Sequence, residues 1–197
     1  AASSDYPLRD VYKRQVLATE RKLSATLPLQ WGDKTILFKV AGKIDRIELV
    51  DNIIRVADYK TGKIEQLPKV TPDKLADIMT SGSNGNYEKI RQLWIYQYLI
   101  YKQMLRDQGL NLRGQDFHLD NYEVTSGFYS LRNIKRGFIE NPLQFDQAND
   151  PESYVSHSEE YLRAFITEKL LNTDEPFRKT DHMQACQYCD YKEICGR

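Results

Sequence analysis

Between Thr35 and Lys60 the chain reads as three short runs rich in β-branched residues, TILFKVAG, KIDRIELV and IIRVADYK, the last two separated by Asp51-Asn52. Runs of this kind broken by an Asp-Asn pair predict strands, the second pair joined by a two-residue hairpin turn. Asp45 falls in the middle of KIDRIELV, where a carboxylate is unwelcome unless something compensates it. Asp58 and Lys60 close the next run. Side chains alternate along a strand, so these two share a face, roughly 6 to 7 Å apart along the chain. Pairing the two strands allows Asp45 to join them there.

Two converging carboxylates beside a lysine suit a hard divalent cation such as Mg²⁺ or Mn²⁺, which prefers oxygen ligands and keeps several waters. The backbone carbonyl of Tyr59 is a candidate further ligand. A cation so held polarises a phosphodiester and lowers the pKa of a water, while Lys60 positions that water or offsets developing charge. Asp45, Asp58 and Lys60 are thus candidate catalytic residues for phosphodiester hydrolysis. The bland alternative is that Asp45 pairs with Arg46 and that DYKTGK is a polar strand end entering a turn at Gly62.

Around this core the chain alternates further. Residues 6–26 mix apolar and charged positions and read as a helix leading into Pro28. Gly62, Pro68, Pro72, Gly82 and Gly85 mark 61–85 as mainly loop, with one helical turn at Asp73 to Met79. The segment NYEKIRQLWIYQYLIYKQMLRDQG is the strongest helix signal, with Asn86 as N-cap and Gly109 as C-cap. Apolar residues nearly encircle it, which calls for cover on both sides. Phe117 to Leu119 and Tyr122 to Leu131 read as further strands. Asp150-Pro151 opens a helix with Tyr154, Tyr161, Leu162, Phe165, Ile166 and Leu170 at helical spacing. The expected fold class is α/β, a central mixed sheet of about five strands flanked by helices.

With 197 residues, 41% of them hydrophobic, the chain has enough length for one sizeable core, and a single domain is expected over 1–197. Acidic and basic residues balance at 28 each, so any nucleic-acid site must be local. Candidate phosphate contacts are Lys13 with Arg14, Arg21 with Lys22, and Arg132 with Lys135 and Arg136, although such groups are often solvated surface. No apolar run is long enough to span a membrane. The start Ala1-Ala2-Ser3-Ser4 suggests processing or, as favoured here, a fragment of a longer protein.

The order G-K-I-D-R-I-E, I-R-V-A-D-Y-K-T-G-K and Q-L-W-I-Y resembles the core of RecB-type and AddB-type exonuclease domains of the PD-(D/E)xK superfamily. That resemblance implies a restriction-endonuclease-like fold and a metal-dependent DNA nuclease. It maps the metal site to Asp45, Asp58 and Lys60 and a Q-x-x-x-Y element to Gln92 and Tyr96. Residues four apart share a helical face, so Gln92 and Tyr96 can reach one site together; for Tyr96 core packing is the competing use. A DNA-repair or recombination parent, possessing a helicase domain or partner, is the natural setting.

The three cysteines, Cys186, Cys189 and Cys195, cluster within the tail 182–197 with C-x2-C-x5-C spacing. An odd, clustered set argues for a reduced, cytoplasmic compartment and for metal or structural use rather than disulfides. The trio resembles the tail of iron-sulfur-bearing nucleases of this family, which implies a 4Fe-4S cluster in a longer parent. Such nucleases carry a fourth cysteine and often a metal-ligating histidine upstream, and this chain has neither: His118, His157 and His182 all follow Lys60. One truncation would account for both, leaving an incomplete cluster and a weak nuclease. Competing readings are a zinc site completed by His182 and free thiols packed with Tyr188 and Tyr191. Against the nuclease stand two rival functions, a nuclease-like module that binds DNA or a partner without cutting, and a zinc-binding interaction module.

Overall fold

The computed structural model describes residues 14–62, 85–143 and 150–197 except 175, 177 and 182, together with 64, 67, 69–71, 74 and 78. The helical turn expected at 73–79 falls largely outside them. The architecture is a five-stranded mixed sheet in the order β1 (Arg14–Trp31), β2 (Lys34–Val50), β3 (Ile53–Lys60), β6 (Glu123–Ser130), β7 (Phe138–Glu140), with helices packed against it.

The strands β1 (Arg14–Trp31) and β2 (Lys34–Val50) form one long antiparallel ribbon, from Arg14 opposite Val50 to Trp31 opposite Lys34. Gly32, at φ 58, supplies the left-handed residue of the turn. The helix expected over 6–26 is therefore corrected: 14–26 is strand, and 6–13 lies outside the described residues. Leu17, Leu23, Ala25, Leu27 and Leu29 are buried, a period of two that no helix places on one face. Pro28 is tolerated because β1 is an edge strand.

A second correction concerns TILFKVAG and KIDRIELV, which are one continuous strand. Its burial reverses parity midway: Val40 and Ile44 are buried before the change, Ile47 after it. The register pairs Thr19 with Arg46 and Arg21 with Ile44, so the change falls opposite Glu20, whose φ is 52. This local irregularity gives Asp45 the same face as Ile47.

β3 (Ile53–Lys60) follows Asp51-Asn52, with Val50 opposite Ile53 and Asp51 left-handed at φ 55. The hairpin expectation holds. The chain then crosses over through α1 (Gly85–Asp107) to β6 (Glu123–Ser130), which pairs with β3 in parallel, as a crossover helix requires. Asn86 sits inside α1 rather than before it. At the other end Gln108, at φ 55, is the left-handed cap, and the Gly109 N–H donates to Met104 O at 2.8 Å. That is a Schellman closure with Gln108, not Gly109, at the left-handed position.

Between α1 and β6, β4 (Leu110–Leu112) and β5 (Gln115–Phe117) pair only with each other. The segment Phe117–Leu119 is thus not a strand of the main sheet. The fifth member is β7 (Phe138–Glu140), antiparallel to β6 and too short to show an alternation in sequence.

α2 (Pro151–Phe165) is capped by Asp150, whose side chain accepts the Ser153 N–H at 3.0 Å. It covers the side of α1 turned away from the sheet. Trp94 Nε1 donates to Ser158 Oγ at 2.8 Å, and Glu159 pairs with Lys102 at 2.6 Å and Arg163 at 2.8 Å. This double cover explains why the apolar residues of α1 encircle it. Leu170, expected in the α2 stripe, ends a π turn (Ile166–Leu170) and is half exposed. Among the described residues no helix is long and apolar enough to cross a membrane.

Candidate active site

The β2–β3 ladder ends at Arg46 opposite Ala57. One more step would set Asp45 against Asp58. Instead Asp45 Oδ2 accepts the Tyr59 N–H at 3.0 Å, a carboxylate standing where a strand carbonyl would be. Asp58 is almost wholly buried, and its Oδ2 lies 2.7 Å from Lys60 Nζ. Lys60 directs its hydrogen bond to Gln92 Oε1 at 2.7 Å, and Gln92 Nε2 donates to Asp58 Oδ1 at 2.8 Å. The same Nε2 lies 2.9 Å from the Tyr96 hydroxyl, which donates to Lys43 O at 2.8 Å. The Lys60 ammonium also stands 5.3 Å from the Phe128 ring centroid, within reach of a cation–π contact.

All five residues singled out in sequence, Asp45, Asp58, Lys60, Gln92 and Tyr96, therefore come together. The Tyr96 ring is buried while its hydroxyl joins the polar chain. Arg46 does not pair with Asp45. It turns to the opposite face of the sheet, where its Nη2 meets Glu48 Oε2 at 2.6 Å.

Electrostatics follow from burial. Desolvation pushes the Asp58 carboxyl up from its ordinary value and the Asp45 charge adds to this, while Lys60 and Gln92 pull it back. Burial likewise raises the Tyr96 phenol, with Asp58 and Asp45 adding, so it remains a neutral donor. Asp58 Oδ2 is buried and accepts no well-directed hydrogen bond. A buried carboxylate oxygen facing only an ammonium, with a second carboxylate nearby, fits a hard divalent cation. Asp45 and Asp58 are the side chains that would hold it. Among the described residues no three of His, Cys, Asp and Glu converge as a ligand set.

Sequence reasoning passed over a buried cluster behind the site. Glu48 is fully buried, accepts a hydrogen bond from Tyr129 Oη at 2.5 Å, and pairs with Arg46. Arg46 Nη1 donates to Tyr59 Oη at 3.1 Å, and the Tyr59 and Tyr129 rings stack 5.8 Å apart. Burial and the neighbouring Glu48 push the Tyr129 phenol up to about 12. The signal was a charged residue two places beyond Arg46 on the same strand face.

In the tail, Cys186 ends α3 (Met183–Cys186), and Cys186, Cys189 and Cys195 are partly buried. Arg197 Nη1 lies 3.7 Å from Cys186 Sγ. Tyr188 and Tyr191 are exposed, and all three cysteines are free thiols. His182 lies outside the described residues. His118 and His157 use Nδ1 on the carbonyls of Gln108 and Ser153, at 2.7 and 2.8 Å.

A mixed sheet that carries Asp-x-Lys at the end of an inner strand, with a crossover helix presenting Gln and Tyr above it, defines a restriction-endonuclease-like nuclease core. The chain belongs to the PD-(D/E)XK nuclease superfamily, whose family model matches residues 5–196. No curated protein matches the sequence. The crystal structure of SSO0001 is similar at 16% identity over 95% of this chain, with a TM-score of 0.32. The chain spans 64% of that structure's length.

Gln92 links the lysine, the carboxylate and the tyrosine. Gln92→Ala is expected to lower cleavage about 10- to 100-fold, the usual cost of losing a group that orients a metal ligand. Its stability loss is about 1 kcal/mol, because water can reach this half-buried position. Tyr96→Ala is expected to lower both cleavage and melting temperature. Thermal melts beside cleavage rates check the contrast, and a wild-type rate for Gln92→Ala would remove the helix from the chemistry.

Proposed function

We propose that this chain is a divalent-metal-dependent DNA nuclease of exonuclease type, on the RecB/AddB-like branch of its superfamily. The observation that carries the reading is the closed Asp58–Lys60–Gln92 network with Asp45 beside it. A bound Mg²⁺ or Mn²⁺ supplies Lewis-acid polarisation of the phosphodiester and activation of a water. Asp45 and Asp58 would hold the cation, with the Tyr59 carbonyl as a candidate further ligand. Lys60 positions the attacking water and offsets charge as it builds on the phosphate. Gln92 fixes the direction of Lys60, and Tyr96 fixes Gln92.

A place in DNA repair or recombination and a helicase domain or partner rest on the motif resemblance, and a cytoplasmic setting rests on the odd, clustered cysteines. Cys186, Cys189 and Cys195 are proposed as three thiolate ligands of an iron-sulfur cluster, supported by their spacing. The test is cleavage of linear and covalently closed circular DNA with Mg²⁺ or with EDTA. Linear DNA is expected to be degraded with Mg²⁺ alone, while the closed circle survives. Cutting of the circle would make the enzyme an endonuclease. Binding without cleavage in any metal would favour the non-cleaving module instead.

The raised Asp58 carboxyl sets the sign of the pH dependence. Cation binding needs the ionised form, so cleavage is expected to fall as pH drops through the raised pKa, above the range of an ordinary aspartate. A rate that holds down to the ordinary range would contradict this role for Asp58.

A further inference from the structure

Lys60 pairs directly with Ser130 across the parallel β3–β6 ladder. The very next residue begins a short segment, Leu131–Arg136, of sequence LRNIKR, two 3₁₀ turns joined across a kink at Asn133. It therefore projects from the same sheet end that presents Asp58 and Lys60.

The segment is tied down. Ser130 Oγ donates to Gly62 O at 3.0 Å, and Arg136 Nη1 reaches Ile64 O at 3.3 Å. Gly137, at φ 71, closes it with an N–H donated to Ile134 O at 3.1 Å. Its outer surface is unusual in composition. Ile134 is 70% exposed and Leu131 52%, and they are interleaved with Arg132, Lys135 and Arg136 without an acidic residue in the segment. No residue of the segment is buried. Core packing therefore does not explain the two apolar side chains, and an anchored ridge holds them out beside a phosphodiester site.

We propose that this ridge holds the unpaired strand of a DNA substrate next to the scissile phosphate. Ile134 and Leu131 pack on the faces of unstacked bases, as apolar side chains do when they enter a base step. Arg132 and Lys135 take adjacent phosphates. A duplex interior offers no open base face, so the apolar contact selects single strands and frayed ends, while the cations serve any DNA. The inference rests on the nuclease reading above and gives that site a substrate preference.

The test is fluorescence anisotropy in EDTA, with a single-stranded oligonucleotide and a blunt duplex of the same sequence, so that binding is measured without the metal site. Ile134→Ala is expected to weaken single-strand binding about fivefold and duplex binding less than twofold. Ile134→Trp, which enlarges the stacking surface, is expected to tighten single-strand binding. Arg132→Glu with Lys135→Glu is expected to weaken both and to lower the salt slope by about two, one for each phosphate contact. Equal effects of Ile134→Ala on the two DNAs, or none on either, would overturn the proposal. So would an unchanged salt slope in the charge-reversed variant. A wild-type protein that cuts no DNA would sink the nuclease reading while leaving this binding result to stand by itself.

Discussion

Asp58→Asn is expected to lower Mg²⁺-dependent DNA cleavage about a thousandfold, with a melting temperature equal to or above that of the wild type. The loss corresponds to about 4 kcal/mol of transition-state stabilisation, the scale expected when a cation loses its buried ligand. The stability claim follows from the direction of the pKa shift. Burial, with the nearby Asp45 charge, raises the Asp58 carboxyl in the fold despite the opposing Lys60 and Gln92. A group with a raised folded pKa contributes stability at low pH and loses it as pH rises through that pKa. Ionised Asp58 therefore weighs on the fold at neutral pH, and asparagine removes that load while keeping the shape. The amide introduced there can still meet Gln92. Cleavage rates and melts on the same preparation decide the matter, and near wild-type cleavage would end the role of Asp58.

Lys60→Met is expected to cut the cleavage rate by a similar factor through a different route. Methionine keeps much of the stem packed near Phe128 but removes the ammonium, which stands 2.7 Å from both Asp58 Oδ2 and Gln92 Oε1. The ammonium then no longer offsets charge on the phosphate beside the metal ion, a loss of several kcal/mol. Because Lys60 holds the Asp58 pKa down, its removal is expected to raise that pKa further and move the acidic limb of any residual rate to higher pH. The fold should follow the same sign. Relative to wild type, the variant is least destabilised in acid, where Asp58 is protonated, and most destabilised above the raised pKa, where a buried carboxylate has lost its partner. A Lys60→Met protein with a wild-type rate and an unmoved pH profile would show that the ammonium is only a structural counter-ion.

Asp45, Asp58 and Gln92 stood out in the sequence because each of the three broke a local rule. Asp45 and Asp58 are acids on strands, and Gln92 is an amide among apolar residues on a buried helix. Such departures point to a task, whereas Glu48 went unnoticed because a glutamate near a strand end looks like ordinary surface. Only its partners Tyr129 and Arg46 reveal that it is buried. The hairpin turn, β3 and both long helices were readable from local pattern. β1 was not, since its charged residues between Arg14 and Lys22 obscure the alternation that becomes plain from Leu23 to Leu29. β7 was invisible for a different reason: three residues carry no period, and their pairing with β6 is set by tertiary placement.

The most direct measurement is Mn²⁺ binding followed by loss of the free-ion electron paramagnetic resonance signal, because it does not depend on turnover. Wild-type protein and Lys60→Met are expected to take up Mn²⁺ at neutral pH, while Asp58→Asn and Asp45→Asn each lose that site. Uptake by Asp58→Asn with wild-type affinity would contradict the assignment of this carboxylate pair as the metal centre.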